Sequence, residues 1–485
     1  MLFNSYEFLL LFLPITFFGY FLLNKHVGFN WGRIFLLLAS FVFYSYWKPI
    51  FIFLLLFTIG FNFIIGRQLT LTVAQNRRKA LLLLGVSVDV LLLGYFKYRN
   101  FFIENTNEVF GTGFSLHQLI LPLGISFITF QTIAFLVDCY KHETRETNLL
   151  SYSLFVSFFP QLIAGPIVHH AEMLPQFKNE NNKRINYEHI LRGGLMLMLG
   201  IIKKVIIADT FAIWANKGFA ATSSLNFIEA WMTSLSYTFQ LYYDFSGYCD
   251  MAVGLGLLFN IKIPFNFNSP YKATSIADFW RRWHITLSRF LRDYIYIPLG
   301  GSKVKFGREL YNLMIVFLIG GLWHGAAWTF VFWGCLHGMA IVLERIFTKV
   351  KIRLPRILSW FLVFNFVNAA WVFFRATSWT DATNVLKSMI GMNGIVLPEG
   401  LKSIINSTVV RFGEWNVLLL EKPYYSNRII FYLIVFSALA FFFKNSQELL
   451  LKSKLKTINI AWIFSGFLFA LLLLGDNSEF LYFNF

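Results

Sequence analysis

Charge is what this sequence has least of. Only 14% of its 485 residues are Asp, Glu, Lys or Arg, against about 25% in a soluble globular protein. That shortage excludes an ordinary water-soluble enzyme. Cysteine is also scarce. Cys139, Cys249 and Cys335 are scattered without metal spacing, which argues against a structural disulfide or a CxxC site. No H-E-x-x-H, no Gly-rich Walker loop and no G-x-S-x-G elbow occurs, so zinc hydrolysis, nucleotide hydrolysis and an α/β-hydrolase triad all lack their signatures. No linker or shift of composition divides the chain, which reads as a single integral-membrane domain over 1–485.

Apolar residues fill the space. They make up 57% of the chain, in runs such as LLFLPITFFGYFLL (10–23) and PIFIFLLLFTIGFNFIIG (49–66). A bilayer core needs roughly 20 apolar residues per helix, and the short alternating segments of a β-barrel are missing. The reading is an all-α polytopic membrane protein. Candidate spanning or re-entrant segments lie near 7–23, 34–48, 49–66, 80–96, 115–138, 151–168, 191–213, 226–243, 246–260, 310–323, 325–343, 357–374, 428–443 and 458–475. About eleven of these would be true spans, with re-entrant and interfacial helices making up the rest. The opening MLFNSYEFLL lacks the basic region and cleavage site of a signal peptide, so the first run reads as a retained helix.

The net charge of +17 is not a nucleic-acid signature, because the basic residues gather in short loops between apolar runs. ERIFTKVKIRLPR (344–356) and KNSQELLLKSKLKT (444–457) read as cytoplasmic, and the charge-balanced 376–427 as an extracytoplasmic loop. SKVKFGRE (302–309) also reads as cytoplasmic, so 310–343 must enter the membrane and return. The tip of that excursion falls at GGLWHG, near His324. Irregular backbone at membrane depth is tolerated only where protein buries it or it lines a wet cavity. His324 is therefore placed on a cavity or tunnel within the bundle. An ionisable residue there is a functional candidate, and imidazole suits a general base. The alternative is a neutral core histidine packed by Trp323 and Trp328. His337 reads as structural.

A second polar stretch is SIADFWRRWHITLSRFLRDYIYIPLG (275–300). Its spacing predicts one amphipathic helix, N-capped by Ser275, with Arg281, His284, Ser288 and Arg292 along one face. Ion pairs are expected between Asp278 and Arg282 and between Arg289 and Asp293. The helix is either a membrane-surface anchor or the mouth of a site for an anionic cofactor. In TFQLYYDFSGYCDMAVG (238–254), Asp244, Ser246 and Asp250 either orient a catalytic group or join helices as polar glue. Gln131, Asp138, Pro160, Gln161, Gly165 and Pro166 suggest helix breaks around a cavity. His169 and His170 read as interface markers rather than a metal site.

Taken in order, PLGISFITFQTIAFLVDCY, FPQLIAGPIV, GIIKKVIIAD, YYDFSGYCDMAVGLG, DFWRRWHITLSRFLRDYIYIPLGG and GLWHGAAW resemble the membrane-bound O-acyltransferases, in particular their alginate and peptidoglycan O-acetylating branch. These core motifs span roughly 120–340, and the opening MLFNSYEFLLLFLPI and closing FLYFNF fit the same branch. The resemblance implies a helical bundle around a central funnel or tunnel in a bacterial cytoplasmic (inner) membrane. It implies catalytic roles for His324 and His284, and no bound cofactor or metal. Acetyl-CoA is the implied donor, with an acyl carrier protein as the alternative. Arg281, Arg282, Ser288, Arg289, Arg292, Asp244, Ser246, Asp250, Gln131, Gln161 and Trp323 are then candidates for donor binding or site lining. A secreted SGNH-hydrolase-like transferase is the implied partner. Tyr482, in the aromatic tail 476–485, would relay an acyl group or dock a partner, if it is not simply an interfacial anchor. The implied function is movement of acetyl groups from a cytoplasmic thioester donor across the membrane for O-acetylation of an extracytoplasmic polysaccharide, whether alginate, peptidoglycan or a secondary wall polymer, with D-alanyl transfer to teichoic acid as the alternative chemistry. A transporter or export scaffold without chemistry is the alternative of another class.

Overall fold

The computed structural model describes residues 1–117, 119–144, 146, 148–397, 411–412, 426–451, 454–474 and 480–481. Helix dominates it. The β-structure among the described residues is one parallel pairing of Val396–Leu397 with Arg411–Phe412. Five helices are long and apolar enough to cross a membrane: Glu7–His26, Phe51–Leu71, Gln75–Phe110, Trp328–Lys349 and Arg356–Arg375. Four shorter apolar helices accompany them, Phe29–Ser45, Ile125–Tyr140, Arg428–Phe442 and Thr457–Leu472.

The bundle is organised on Phe227–Leu258, a single helix of 32 residues. Its length is about 48 Å at 1.5 Å per residue. Asn226 and Glu229 form a capping box at its start. Every residue from Ser236 to Leu258 is buried, as a helix surrounded on all sides requires. The expected division into 226–243 and 246–260 is therefore corrected. Gly247, the glycine nearest the expected division, lies against the Gly200 carbonyl (2.9 Å from where a Cβ would stand), so it serves close helix packing instead of a break.

Three other expectations change. Segment 80–96 extends into Gln75–Phe110, with a π-helical turn at Gly94–Tyr98. Segment 191–213 is part of continuous helix over 187–220, with a π-helical stretch at Ile202–Ala208. Segment 151–168 yields only Leu149–Ser157 and the four-residue Phe159–Leu162, too short to span. Pro160 and Pro166 lie in that stretch, where proline withholds the backbone donor a longer helix needs.

Candidate active site

His324 is the last residue of the helix Phe306–His324, and the following helix begins at Trp328. The helix ends because Gly325 turns extended, at φ −161° and ψ 150°. The two helices meet backbone to backbone. A Cβ on Gly321 would collide with the Phe330 carbonyl and lie 3.0 Å from the Gly334 Cα, so the small residues of GGLWHG and WGCLHG set this approach. The glycine-rich break expected at GGLWHG is thus where the helix stops.

The His324 side chain is 2% exposed and sits in an aromatic cage. Its ring centroid is 4.9 Å from Trp323, 5.1 Å from Trp333 and 5.1 Å from Phe374, each at a steep angle. One side of this cage opens into a cavity of about 460 Å³. Leu313, Val316, Phe317, Gly320 and His324 line it along one face of their helix. From residue 313 to 324 that face runs about 16 Å. The cavity thus extends from His324 toward the basic 302–309 loop. Arg281, Ser288, Arg289, Arg292 and Tyr296 complete its wall. The Arg281 and Arg292 side chains are 70% and 60% exposed, each beside a carboxylate, Asp278 at 3.7 Å and Asp293 at 2.7 Å. The Ser288 hydroxyl has no hydrogen-bond partner among the described residues.

These arginines reach the cavity by a different route from the one expected. The stretch 275–300 is not one helix. Ser275 does cap Ile276–Arg282, accepting the Asp278 N–H at 3.1 Å. The helix stops there, and His284 adopts the left-handed region (φ 44°, ψ 53°) before Ile285–Leu291 begins. Asn266 makes this corner worthwhile. Its side-chain oxygen accepts from the Thr286 N–H at 3.1 Å and the Thr286 hydroxyl at 2.9 Å, and lies 3.3 Å from His284 Nδ1. Segment 275–300 therefore carries His284 inward, off the arginine face. His284 is 0% exposed and is absent from the cavity wall, although its ring centroid is 6.2 Å from that of His324. The Asp278–Arg282 pair forms at 2.9 Å, and Arg282 is not on the cavity wall. The expected Arg289–Asp293 pair does not form. Arg289 pairs with Glu172 and Asp293 with Arg292.

The remaining candidates are dispersed. Asp244 is bonded to Lys204 at 2.7 Å and accepts the Leu481 N–H at 3.0 Å. Asp250 is hydrogen-bonded to Lys203 at 2.6 Å and Ser446 at 2.5 Å, and Ser246 is buried on the same helix. Both carboxylates face the 187–220 helix, a polar-glue placement. Gln131 is buried, and Gln161 donates to the Phe155 carbonyl at 2.8 Å. Trp323 packs between Phe130 and Phe127, with centroids at 5.1 and 5.4 Å. His337 is buried and accepts from Trp280 Nε1 at 3.2 Å. Tyr482 lies outside the described residues. Just before it, the Phe480 ring is buried, 4.6 Å from Lys204 Nζ and 4.8 Å from the Tyr248 ring.

Sequence reading missed Lys97, in GYFKYRNFF. Its ammonium donates to the Trp323 carbonyl at 2.6 Å and the His324 carbonyl at 3.2 Å. It also lines a second cavity, of about 320 Å³, with Arg99, Asn100, Gly325, Ala326 and Ala327. At the end of an apolar run it looked like one more loop cation; the π-helical turn that aims it inward has no sequence signature that spacing reveals.

No metal motif was legible either. Folding nevertheless brings donor atoms of Asp138, His169 and His170 within 4.8 Å of one another. Tyr294 joins them, donating to Asp138 Oδ2 at 2.6 Å with His169 Nε2 at 2.7 Å from its hydroxyl. These are hydrogen-bonding separations, and they tie the end of Ile125–Tyr140 to the segment carrying Arg292. Burial holds the His170 imidazole down at about 4, so it is neutral at physiological pH.

Residues 131–378 match the sequence profile of the membrane-bound O-acyltransferase family. The chain is 45% identical to a peptidoglycan O-acetyltransferase of Helicobacter pylori, over 100% of this chain and 98% of that protein. It is 41% identical to the probable alginate O-acetylase AlgI of Pseudomonas aeruginosa, over 82% of this chain and 76% of the relative. Similarity to the teichoic acid D-alanyltransferase of Bacillus subtilis is more distant, 28% over 48% of this chain and 61% of that protein.

Proposed function

This chain belongs to the membrane-bound O-acyltransferase family and is a multi-pass membrane acyltransferase, and we propose that it moves acetyl groups from cytoplasmic acetyl-CoA for O-acetylation of extracytoplasmic peptidoglycan, with His324 as general base. The observation that carries this reading is the shared cavity: His324 forms its inner end and Arg281, Arg289 and Arg292 its outer wall. An acyl thioester enters with its phosphates on the arginines, whose guanidinium forks match phosphate oxygens. The acetyl end then lies among Trp280, Phe317 and Trp333, beside His324.

The chemistry follows from neutral imidazole. His324 takes the proton of the acceptor hydroxyl as its oxygen attacks the thioester carbonyl carbon. The tetrahedral intermediate collapses with cleavage of the C–S bond. The imidazolium returns the proton to the departing thiolate, leaving an acetyl ester and free thiol. The aromatic cage limits water at the reacting carbon, and with it hydrolysis of the thioester. His284 supports His324 from the adjoining corner.

Peptidoglycan is favoured as acceptor because the relative so named aligns over the whole chain; alginate is the second reading, from the relatives that align over most of it. The five long and four shorter apolar helices, together with the buried Phe227–Leu258 and the helix over 187–220, make up a bundle of about eleven spans in the bacterial inner membrane, and a secreted SGNH-type transferase completes delivery. The test is acetyl content of the wall polymers in a strain lacking the chain, complemented with wild type or His324→Ala. Restored muropeptide acetylation by wild type alone supports the proposal. Equal restoration by the variant, at equal membrane abundance, overturns it.

A further inference from the structure

The helix that presents His324 lacks the usual means of closing its end. The last four carbonyls of an α-helix have no partner within it, and helices commonly satisfy them with a glycine in the left-handed region. Gly325 is extended instead, and the chain departs toward Trp328. Side chains from another helix supply the donors. Tyr98 gives its hydroxyl to the Leu322 carbonyl at 2.7 Å. Lys97 gives its ammonium to the carbonyls of Trp323, at 2.6 Å, and His324, at 3.2 Å. The third ammonium proton has Ser126 Oγ at 3.3 Å, so the three donors of Lys97 have three oxygens. Three successive carbonyls, 322 to 324, are thus held by two adjacent residues.

Adjacent residues of a regular α-helix stand about 100° apart. Lys97 and Tyr98 nevertheless reach the same helix end, and they do so from the π-helical turn Gly94–Tyr98. Such single turns occur mostly where function requires a local departure from α geometry. A cation at this position is also favoured by the negative end of the helix dipole. The contact surface continues beyond the cap: Trp328 Nε1 donates to Asn105 Oδ1 at 2.7 Å, so Gln75–Phe110 grips the break on both sides.

We propose that Lys97 and Tyr98 are positioning residues for acyl transfer, a side-chain cap that fixes the end of Phe306–His324 so that the His324 ring faces the arginine-walled cavity. This rests on the reading of His324 as base. Neither residue lines that cavity; they act through the backbone of residues 322–324. With the cap removed, the carbonyls turn to other donors, the helix end frays, and the imidazole samples orientations away from the thioester. Misplacement of about 1 Å costs on the order of 100-fold in rate.

The experiment uses the full-length protein purified in detergent together with its secreted SGNH-type transferase in excess, with acetyl-CoA and a soluble chitooligosaccharide acceptor. Lys97→Met is expected to lower kcat on the order of 100-fold with KM for acetyl-CoA unchanged, Tyr98→Phe to lower it less, and Lys97→Arg to recover part of the loss. Hydrogen exchange by mass spectrometry should show faster exchange across 322–330 in Lys97→Met, with 306–318 and the melting temperature unchanged. Wild-type kcat in Lys97→Met, a change confined to KM, or a loss that tracks a general drop in melting temperature would each overturn the proposal. The exchange measurement is repeated in His324→Ala, where the cap still forms. If His324→Ala is itself active, the reading of His324 fails, while the exchange result still decides whether the cap exists. Adding Lys97→Met to His324→Ala should lower residual turnover no further, because both act through one ring.

Discussion

His284 and His324 follow tryptophan in two similar words, RWH and LWH, and both stand at helix boundaries with ring centroids 6.2 Å apart. They differ in how the backbone delivers them. His284 occupies a left-handed corner between two short helices, and Asn266 holds that corner shut. His324 ends a long helix whose own face forms the cavity wall. Burial does not distinguish them, since both are nearly inaccessible. Access to the cavity does. A buried imidazole can serve as a base only if the reacting atom can reach it, and of the two rings it is His324 that lines the cavity.

The sharpest break in this comparison is His324→Ala. Loss of a general base costs about 10²–10⁴-fold, measured as acetyl transfer at equal membrane abundance. His284→Asn is the counterpart, because asparagine tolerates the left-handed backbone. Turnover is expected within about tenfold of wild type, well inside the span of general-base effects. A loss as deep as that of His324→Ala would make the two rings a catalytic pair and end the distinction. Next in size is the cavity mouth. Arg281→Glu with Arg292→Glu should raise KM for acetyl-CoA about tenfold, or roughly 1.4 kcal/mol, with kcat and melting temperature little changed. If kcat falls instead, the arginines do more than hold the donor. The smallest effect on turnover concerns the scaffold behind His324, where the change is read in stability. Gly321→Ala drives a methyl into the Phe330 carbonyl, and overpacking of this kind costs about 1–3 kcal/mol. Thermal unfolding would register it, and the same change at exposed Gly307, which has open space around it, should cost far less.

Much of the site was legible where a single local rule governs it. Glycines around His324 in an apolar run demanded a break, and the break is there. Ser275 and Asp278 announced a helix start, which formed. The expected single arginine helix failed because helical periodicity assumes an unbroken backbone, and the turn at His284 depends on Asn266, eighteen residues away. Lys97 was unreadable for a related reason. Its partners are carbonyls more than two hundred residues distant, and a backbone carbonyl carries no residue identity that a sequence could advertise.

By itself the sequence determined the solvent of this protein and marked where to look: so little charge in so many apolar runs requires a bilayer, and a histidine among glycines and tryptophans in such a run is a candidate for function. Only the tertiary structure decided which polar groups meet. Hydropathy is a sum over neighbours along the chain, whereas a cavity is the space left among helices from distant segments, and its walls, its cation-bearing mouth and the lysine–tyrosine cap exist only once those helices have packed.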